Sequence, residues 1–198
     1  KLTAAPPTHA GLNALNAALD LAADHDLAAS TIAVRVAAST RAHPYAAVSA
    51  GLGALDGPLH GAVGATVYRM IDTARRDGAA VAIGEQLQSG TMLPGFGHGL
   101  YPDGDPRGTA ILAHARALDG DGALRTTLDE LERVAARRPN VDLGIAALAH
   151  ATGMSVGGPE LIFAVARTAG WIAHVIEEYA QPPHRFRWRS GYTGPTPR

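Results

Sequence analysis

The sequence of 198 residues contains no cysteine, only 5% aromatic residues and no long apolar run. The absence of cysteine excludes a disulfide framework and thiolate chemistry. A formal net charge of −1 argues against a surface that contacts many phosphates, so we expect no nucleic-acid partner. The longest apolar window, 161–176, is interrupted by Arg167 and His174, and the N-terminus lacks the regions of a signal peptide. We therefore expect a cytoplasmic protein without a membrane span.

Alanine and leucine recur at helical spacing along most of the chain, whereas the alternation of β-branched residues that is typical of strands is hard to find. This pattern predicts an all-α protein. Short joints rich in Gly, Pro or Asp separate the predicted helices, which cover residues 11–23, 27–41, 44–55, 62–77, 81–88, 107–118, 124–137, 142–152 and 159–181. The joint at 94–108 is long and dense in Gly and Pro, which indicates a functional loop.

Polar residues with catalytic potential lie at these joints. His60 stands between glycines in GPLHG before a predicted helix, and His98 follows a Gly-Phe-Gly turn. Because a helix N-terminus disfavours an imidazolium, we expect the helix after His60 to keep its ring neutral and able to donate a hydrogen bond to a carbonyl oxygen. Asp142 lies at a predicted helix start in PNVD. Two roles are open for it, a helix-terminal acid or a base that removes a proton next to such a carbonyl.

The remaining candidates concern metals and anions. Metal binding is an alternative for several histidines, but the sequence has no HExxH motif, no His/Cys cluster and no close carboxylate set, so we predict no metal site. Arg167 lies on an otherwise apolar helix, where a cation requires an anionic ligand or a structural carboxylate. The last fifteen residues are rich in arginine and contain no acid. They predict either a solvated tail or an arm that carries guanidinium groups to an anionic ligand or a neighbouring subunit.

Five segments resemble signature blocks of the citrate synthase family and occur in the family's order. They are ADHDLAAST at 23–31, GPLHG at 57–61, PGFGHGLYPDGDPR at 94–107, PNVD at 139–142 and IFAVARTAGWIAHVIEEYA at 162–180. Together they extend over nearly the whole chain, which is therefore identified as a member of this family.

The resemblance implies a role for each matching residue. His60 matches the histidine that polarises the acetyl-CoA thioester carbonyl, Asp142 the aspartate that takes the methyl proton, and His98 the histidine that activates the ketone of oxaloacetate. The residues that match ligands of the oxaloacetate carboxylates are His25, Arg107, Arg167 and Arg187. The resemblance further implies a coenzyme A thioester as co-substrate, no permanently bound cofactor, and a homodimer in which Arg187 is shared across subunits.

The family's fold implies a two-lobed helical protein with its active site in the cleft between the lobes. Residues 1–59 and 156–198 are expected to form the large lobe, and residues 60–155 the small lobe that closes over the substrate. The implied activity is condensation of acetyl-CoA, or another short acyl-CoA, with oxaloacetate to give citrate and CoA. Three alternatives remain open: synthesis of 2-methylcitrate, cleavage of citryl-CoA, and non-catalytic binding of a di- or tricarboxylate.

Departures from the family's pattern mainly affect residues that are expected to bind coenzyme A. GPLHG is followed by Ala-Val-Gly-Ala where the family usually has Gly-Ala-Asn-Glu, and Ala28 replaces an Asn. Residues 99–103 lack the basic side chains that help to hold the CoA phosphates in bacterial relatives. The chain is also much shorter than is usual, so we expect the N-terminal part of the large domain to be absent from it. On these grounds we expect weak CoA binding.

Overall fold

The computed structural model describes Thr3, residues 6–88, Gly90, residues 92–188, Ser190, Gly191 and residues 193–195. Within these residues it contains nine α-helices and, apart from two isolated β-bridges, no extended pairing. The helices are α1 His9–Ala22, α2 Ala29–Ser39, α3 Pro44–Leu55, α4 Gly64–Asp77, α5 Ala79–Gln88, α6 Pro106–Leu118, α7 Ala123–Ala135, α8 Val141–Ala151 and α9 Gly158–Tyr179. The all-α prediction is confirmed, and every predicted helix boundary lies within two residues of the observed one.

The helices pack in two groups that share one core. In the first group α2, α3 and α9 contact one another, and α1 packs along α9. In the second group α6 packs on α8, while α4 contacts α5, α7 and α8. The groups meet where α4 and α8 contact α9 and where α1 contacts α6. The assignment of these groups to a large and a small closing lobe stays a prediction.

Helix α8 is the most enclosed element of the second group, because all of its residues from Leu143 to Ala149 are buried. Small residues let α6 approach it closely. A Cβ atom on Gly108 would lie 2.4 Å from the backbone of Asn140, and one on Gly144 would lie 3.1 Å from the carbonyl oxygen of Gly108. This close crossing places the first turn of α6, with Arg107, beside the N-terminus of α8, with Asp142.

A second close approach positions the loop between α1 and α2. A Cβ atom on Gly170 of α9 would lie 2.3 Å from the carbonyl oxygen of Ala23, so only glycine lets this loop lie directly on α9. The loop, which contains His25, thereby crosses α9 one helical turn from Arg167, and the charge of Arg167 acts on the His25 ring. Among the helices of the described residues, none is long and apolar enough to cross a membrane.

Candidate active site

Three aromatic rings from two distant joints meet at the centre of the candidate site. The ring centroids of His25 and His98 are 5.1 Å apart, and those of His98 and Tyr101 are 5.0 Å apart. The guanidinium carbon of Arg107 lies 5.5 Å from the centre of the Tyr101 ring. The structure thus brings together His25, His98 and Arg107, which the sequence analysis assigned to one site.

Arg107 is held by a carboxylate of its own helix. Its Nε and Nη2 atoms donate to Oδ1 and Oδ2 of Asp105 at 3.0 and 2.8 Å. Asp105 is the N-cap of α6, and its Oδ2 also accepts from the backbone nitrogen of Val141 at 3.0 Å. Burial raises the pKa of Asp105, but the hydrogen bonds and charge of Arg107 outweigh it, so the net pKa lies below its ordinary value. Asp105 therefore stays ionised and fixes Arg107 against α8.

Arg167 is a buried cation with two unsatisfied nitrogens. Its side chain is 1% exposed, its Nε donates to the carbonyl oxygen of Ala22 at 2.9 Å, and its guanidinium lies 4.9 Å from the centre of the Phe163 ring. Nη1 and Nη2 have no hydrogen-bond partner, and no carboxylate of the described residues pairs with them. Burial lowers the pKa of Arg167 to about 10, and the charge of Arg107 acts in the same direction. Of the two expected partners, the structural carboxylate is not found, which favours an anionic ligand.

His60 is oriented by the N-terminus of α2. Its Nε2 lies 2.7 Å from Oγ of Ser30 and accepts from the backbone nitrogen of Ser30 at 3.4 Å. Because a backbone N–H can only donate, Nε2 is the acceptor, and the proton of the neutral ring sits on Nδ1. Burial, followed by the charge of Arg167, lowers the pKa of His60. The ring is therefore a neutral imidazole with Nδ1–H available as a donor.

One expectation about His60 is wrong. We expected the helix that follows it to act on the ring, but α4 begins only at Gly64, whereas Ser30 lies in the first turn of α2. The N-cap of α2, Ala28, contributes no capping hydrogen bond, so the imidazole accepts one of the free N–H groups of this turn. The helix terminus that contacts His60 is thus the one that meets it in the fold, not the one that follows it in the sequence.

His98 and His25 are both shifted towards the neutral form. Nδ1 of His98 accepts from the backbone nitrogen of Leu100 at 3.1 Å, which leaves the proton of the neutral ring on Nε2. Nε2 of His25 is buried without a hydrogen-bond partner. Burial, and then the charge of Arg107, lowers the pKa of each ring. Both rings can therefore donate to an oxygen of a bound anion.

Asp142 lies in the first turn of α8 but does not cap it. The capping role belongs to Asn140, whose Oδ1 accepts from the backbone nitrogens of Asp142 and Leu143 at 3.0 and 3.4 Å. Asn140 also donates through Nδ2 to the carbonyl oxygen of Gly97 at 3.0 Å, which ties the Gly-Phe-Gly turn to α8. Burial raises the pKa of Asp142 to about 6, although the charge of Arg107 opposes this. A carboxylate with raised basicity and no capping duty fits the role of a base.

A cavity of about 850 Å³ contains both His60 and Asp142 in its lining. The rest of its wall consists mainly of small and apolar residues from 58–66 and from 90–97. Such a wall suits a ligand with a long uncharged arm. Among the described residues, no group of three or more His, Asp or Glu side chains could hold a metal ion.

Arg187 lies outside this cluster. It is exposed on the segment after α9. Two residues earlier, Arg185 donates through Nη2 to Oε2 of Glu178 at 2.6 Å, and the buried Glu178 also pairs with Arg35 at 2.9 Å. The start of the tail is therefore fixed on α9, and Arg187 follows it with no contact to the cluster described above.

Sequence reasoning missed three residues that hold the site together, namely Ser30, Asp105 and Asn140. Asp105 and Asn140 carried a usable signal, because Asp before Pro and Asn before an apolar helical segment are typical N-caps. Ser30 carried no such signal, since its partner His60 lies thirty positions further along the chain.

These features define an all-α protein whose candidate site combines anion-binding arginines with a neutral histidine and a basic carboxylate. Residues 2–189 match the C-terminal domain family of citrate synthase. Citrate synthase 2 of Bacillus subtilis is 34% identical over 197 residues, which cover 96% of this chain and 53% of that protein. The chain therefore belongs to the citrate synthase family, and it spans about half the length of the curated relatives it matches.

Two solved structures show the same fold. Citryl-CoA lyase from Hydrogenobacter thermophilus superimposes with a TM-score of 0.82 at 29% identity, and the match covers 98% of this chain and 81% of the lyase chain. Citrate synthase from Thermoplasma acidophilum, in a ternary complex with carboxymethyl coenzyme A and oxaloacetate, gives a TM-score of 0.82 at 29% identity. That match covers 96% of this chain and 54% of the other. The citrate synthase-like fold is thus confirmed.

Proposed function

We propose that the chain catalyses the condensation of a short acyl-CoA with oxaloacetate, followed by thioester hydrolysis that releases CoA. The observation that carries this proposal is the pairing, in one cavity, of a neutral His60 with Asp142, whose pKa is raised to about 6. Enolisation of a thioester needs these two groups together, a base for the α-proton and a donor for the developing enolate oxygen.

The proposed roles combine the geometry of the site with what the family resemblance implies. Ionised Asp142 takes a proton from the acyl methyl group, while Nδ1–H of His60 stabilises the thioester oxygen. Nε2–H of His98 polarises the ketone of oxaloacetate for attack by the enol. The groups that we propose for the oxaloacetate carboxylates are His25, Arg107, Arg167 and, from a neighbouring subunit, Arg187. No permanently bound cofactor is needed, because the co-substrate is the CoA thioester itself.

The division into lobes fits the origin of these residues. We propose residues 1–59 and 156–198 as the large lobe and residues 60–155 as the small one. His98, Arg107 and Asp142 then belong to the small lobe, and closure around oxaloacetate would desolvate the reaction. A cytoplasmic location and the absence of a nucleic-acid partner stay predictions.

Cleavage of citryl-CoA is a second candidate function. The citryl-CoA lyase from Hydrogenobacter thermophilus is a solved neighbour of which this chain covers 81%. Cleavage would use the same side chains in reverse, with Asp142 returning a proton to the enol.

One assay tests both functions. It measures thiol release from oxaloacetate with acetyl-CoA or propionyl-CoA, and, beside it, cleavage of citryl-CoA. Release with neither acyl-CoA and no cleavage would reject both functions.

Oxaloacetate or citrate is expected to raise the melting temperature of the protein. In the free protein the buried charge of Arg167 is not compensated, and two of its nitrogens have no hydrogen-bond partner. A dianion bound there, with Arg107 nearby, would compensate this charge. At a hundred times its Kd, a ligand adds about 2.7 kcal/mol to the free energy of unfolding. Differential scanning fluorimetry checks this, with acetate at equal ionic strength as the control. An equal shift with acetate, or no shift with any of them, would contradict an oxaloacetate site.

We also propose a homodimer formed through α9. Leu161, Val165, Ile172 and Ile176 lie on one face of this helix and are between 44% and 65% exposed. Apolar side chains in such a row are typical of a surface that another chain covers. Because Arg185 anchors the tail on the same helix, Arg187 is well placed to cross to the partner.

Shared sites predict recovery of activity on mixing two inactive variants, Asp142→Asn and Arg187→Ala. Each heterodimer would contain one site with Asp142 of one chain and Arg187 of the other. Random reassortment of a twofold dimer restores about a quarter of the wild-type sites. Thiol release after co-refolding measures this. If heterodimers form and both variants fold, yet no activity returns, Arg187 does not complete the partner's site.

A further inference from the structure

The cavity that contains His60 and Asp142 shares part of its wall with a second one. Gly90, Met92 and Leu93 line both the first cavity and a neighbouring space of about 410 Å³. The other lining residues of the second space are Ile83, Leu87, Val134, Ala135 and Arg137. Among the described residues of that lining, Arg137 alone carries a charge. The two adjoining cavities thus present reactive groups in one and, beyond the apolar stretch that they share, a cation in the other.

Arg137 is held next to the Gly-Phe-Gly turn. Helix α7 ends as Ala136 adopts a left-handed backbone conformation with φ of 49°, which turns the chain back towards α8. Nη1 of Arg137 then lies 3.8 Å from the position that a Cβ atom on Gly97 would occupy. Gly97 itself lines the cavity with Asp142. The guanidinium is exposed, and within the described part of the chain it forms no ion pair with a carboxylate.

We propose that Arg137 binds a phosphate group of the acyl-CoA, an inference that rests on the proposed function. An acyl-CoA carries its thioester at one end of an uncharged pantetheine arm and its phosphates at the other. With the thioester at His60 and Asp142, the arm fits the apolar stretch, and the phosphates require a cation beyond it. Residues 99–103 offer none. Arg137 therefore supplies, from the other side of the turn, the charge that those residues lack.

Its neighbour Arg138 faces a different environment. The aliphatic part of Arg138 packs on Gly104, with Cβ and Cγ 3.5 Å from the position of a Cβ atom there. Arg137 and Arg138 border one further open space together, but only Arg137 lines the cavity of about 410 Å³. Arg138 instead lines a cavity with Asp103 and Glu132, whose carboxylates disfavour a phosphate. Arg138 is therefore a matched control with the same charge and nearly the same place in the sequence.

The test compares the binding of CoA and of pantetheine by calorimetry in the presence of oxaloacetate. Pantetheine shares the arm and the thiol of CoA but has no phosphate. Arg137→Gln is expected to raise the Kd for CoA about tenfold, the loss of one charge-assisted contact, and to leave the Kd for pantetheine unchanged. The dependence of CoA binding on salt should weaken in the same variant. Arg138→Gln should change the Kd of neither CoA nor pantetheine.

Two outcomes would overturn the inference alone. One is an unchanged Kd for CoA in Arg137→Gln, and the other is an equal loss for CoA and pantetheine, which would indicate a displaced turn. If the wild-type protein binds oxaloacetate but not CoA, the proposed function fails first, and the role of Arg137 falls with it. Because these three results differ, each shows whether the role of Arg137 or the proposed function is wrong.

Discussion

Asp142→Asn is expected to reduce thiol release from acetyl-CoA and oxaloacetate about a thousandfold while leaving the Kd for oxaloacetate nearly unchanged. The amide keeps the shape of the side chain but cannot take a proton. The wild-type rate should also fall as the pH is lowered through about 6, because protonation of Asp142 removes the base. Steady-state kinetics, with oxaloacetate binding measured by calorimetry, check both statements.

The stability of the same variant is an internal control. The pKa of Asp142 is raised in the folded protein from 3.8 to about 6, so its ionised form destabilises the fold. The sign follows from proton binding: the destabilisation is absent below about pH 4, grows as the pH rises, and is complete above about pH 7. Asp142→Asn should therefore stabilise the protein at pH 8, by as much as about 3 kcal/mol, and have little effect at pH 4. If Asp142→Asn releases thiol at the wild-type rate, Asp142 is not the base.

The helices could be predicted from the sequence because two signals agree along the chain. Alanine and leucine at helical spacing indicate the helix interiors, and glycine, proline and aspartate indicate where they end. The observed boundaries of α3, Pro44–Leu55, coincide with the predicted ones, since a proline opens the helix and an Asp-Gly pair follows it. Long α9 was equally clear, as its apolar residues recur at helical spacing for about six turns despite Gly170 in its interior.

Candidate site residues could be proposed from the sequence, but their partners in the fold could not. Taken alone, His60 and Asp142 each had a plain structural explanation, and the resemblance to the family's signature blocks gave them their expected roles. That His60 accepts from Ser30 depends on how α2 meets the turn at 58–63, a contact that only the fold creates. The distinction between Arg107 and Arg167 was likewise hidden, because both are arginines that match anion ligands. In the structure one is paired with Asp105 and the other has two unsatisfied nitrogens.

This difference gives the two arginines different energetic roles. Arg107 is neutralised by Asp105 before any ligand arrives, so its position costs the free protein little. Arg167 is buried without a carboxylate, and its pKa is lowered to about 10 as a result. The free protein is therefore destabilised at this point, and a bound dianion removes that destabilisation. We therefore predict that binding of oxaloacetate and stability of the first helical group are coupled through Arg167.

Arg167→Met is expected to stabilise the ligand-free protein and to abolish its response to oxaloacetate and citrate. Replacing an unpaired buried cation by an apolar side chain of similar length gains about 1 to 2 kcal/mol, after subtracting the lost hydrogen bond to Ala22. For a chain of this size, that raises the melting temperature by about 2 to 8 °C. The Kd for oxaloacetate should rise about a hundredfold or more, because a desolvated charge contact is lost. Thermal unfolding and calorimetry, with and without ligand, measure both changes.

The exposed Arg133 on α7 provides the matched substitution. Arg133→Met removes an arginine of the same length from a helix outside the site, so it should change neither the melting temperature of the free protein nor the shift with citrate. The opposite result for Arg167→Met is informative as well. If that variant melts lower than the wild type and still gains stability from citrate, the Arg167 guanidinium serves the packing of α9 on α1, and the dianion is held by other groups.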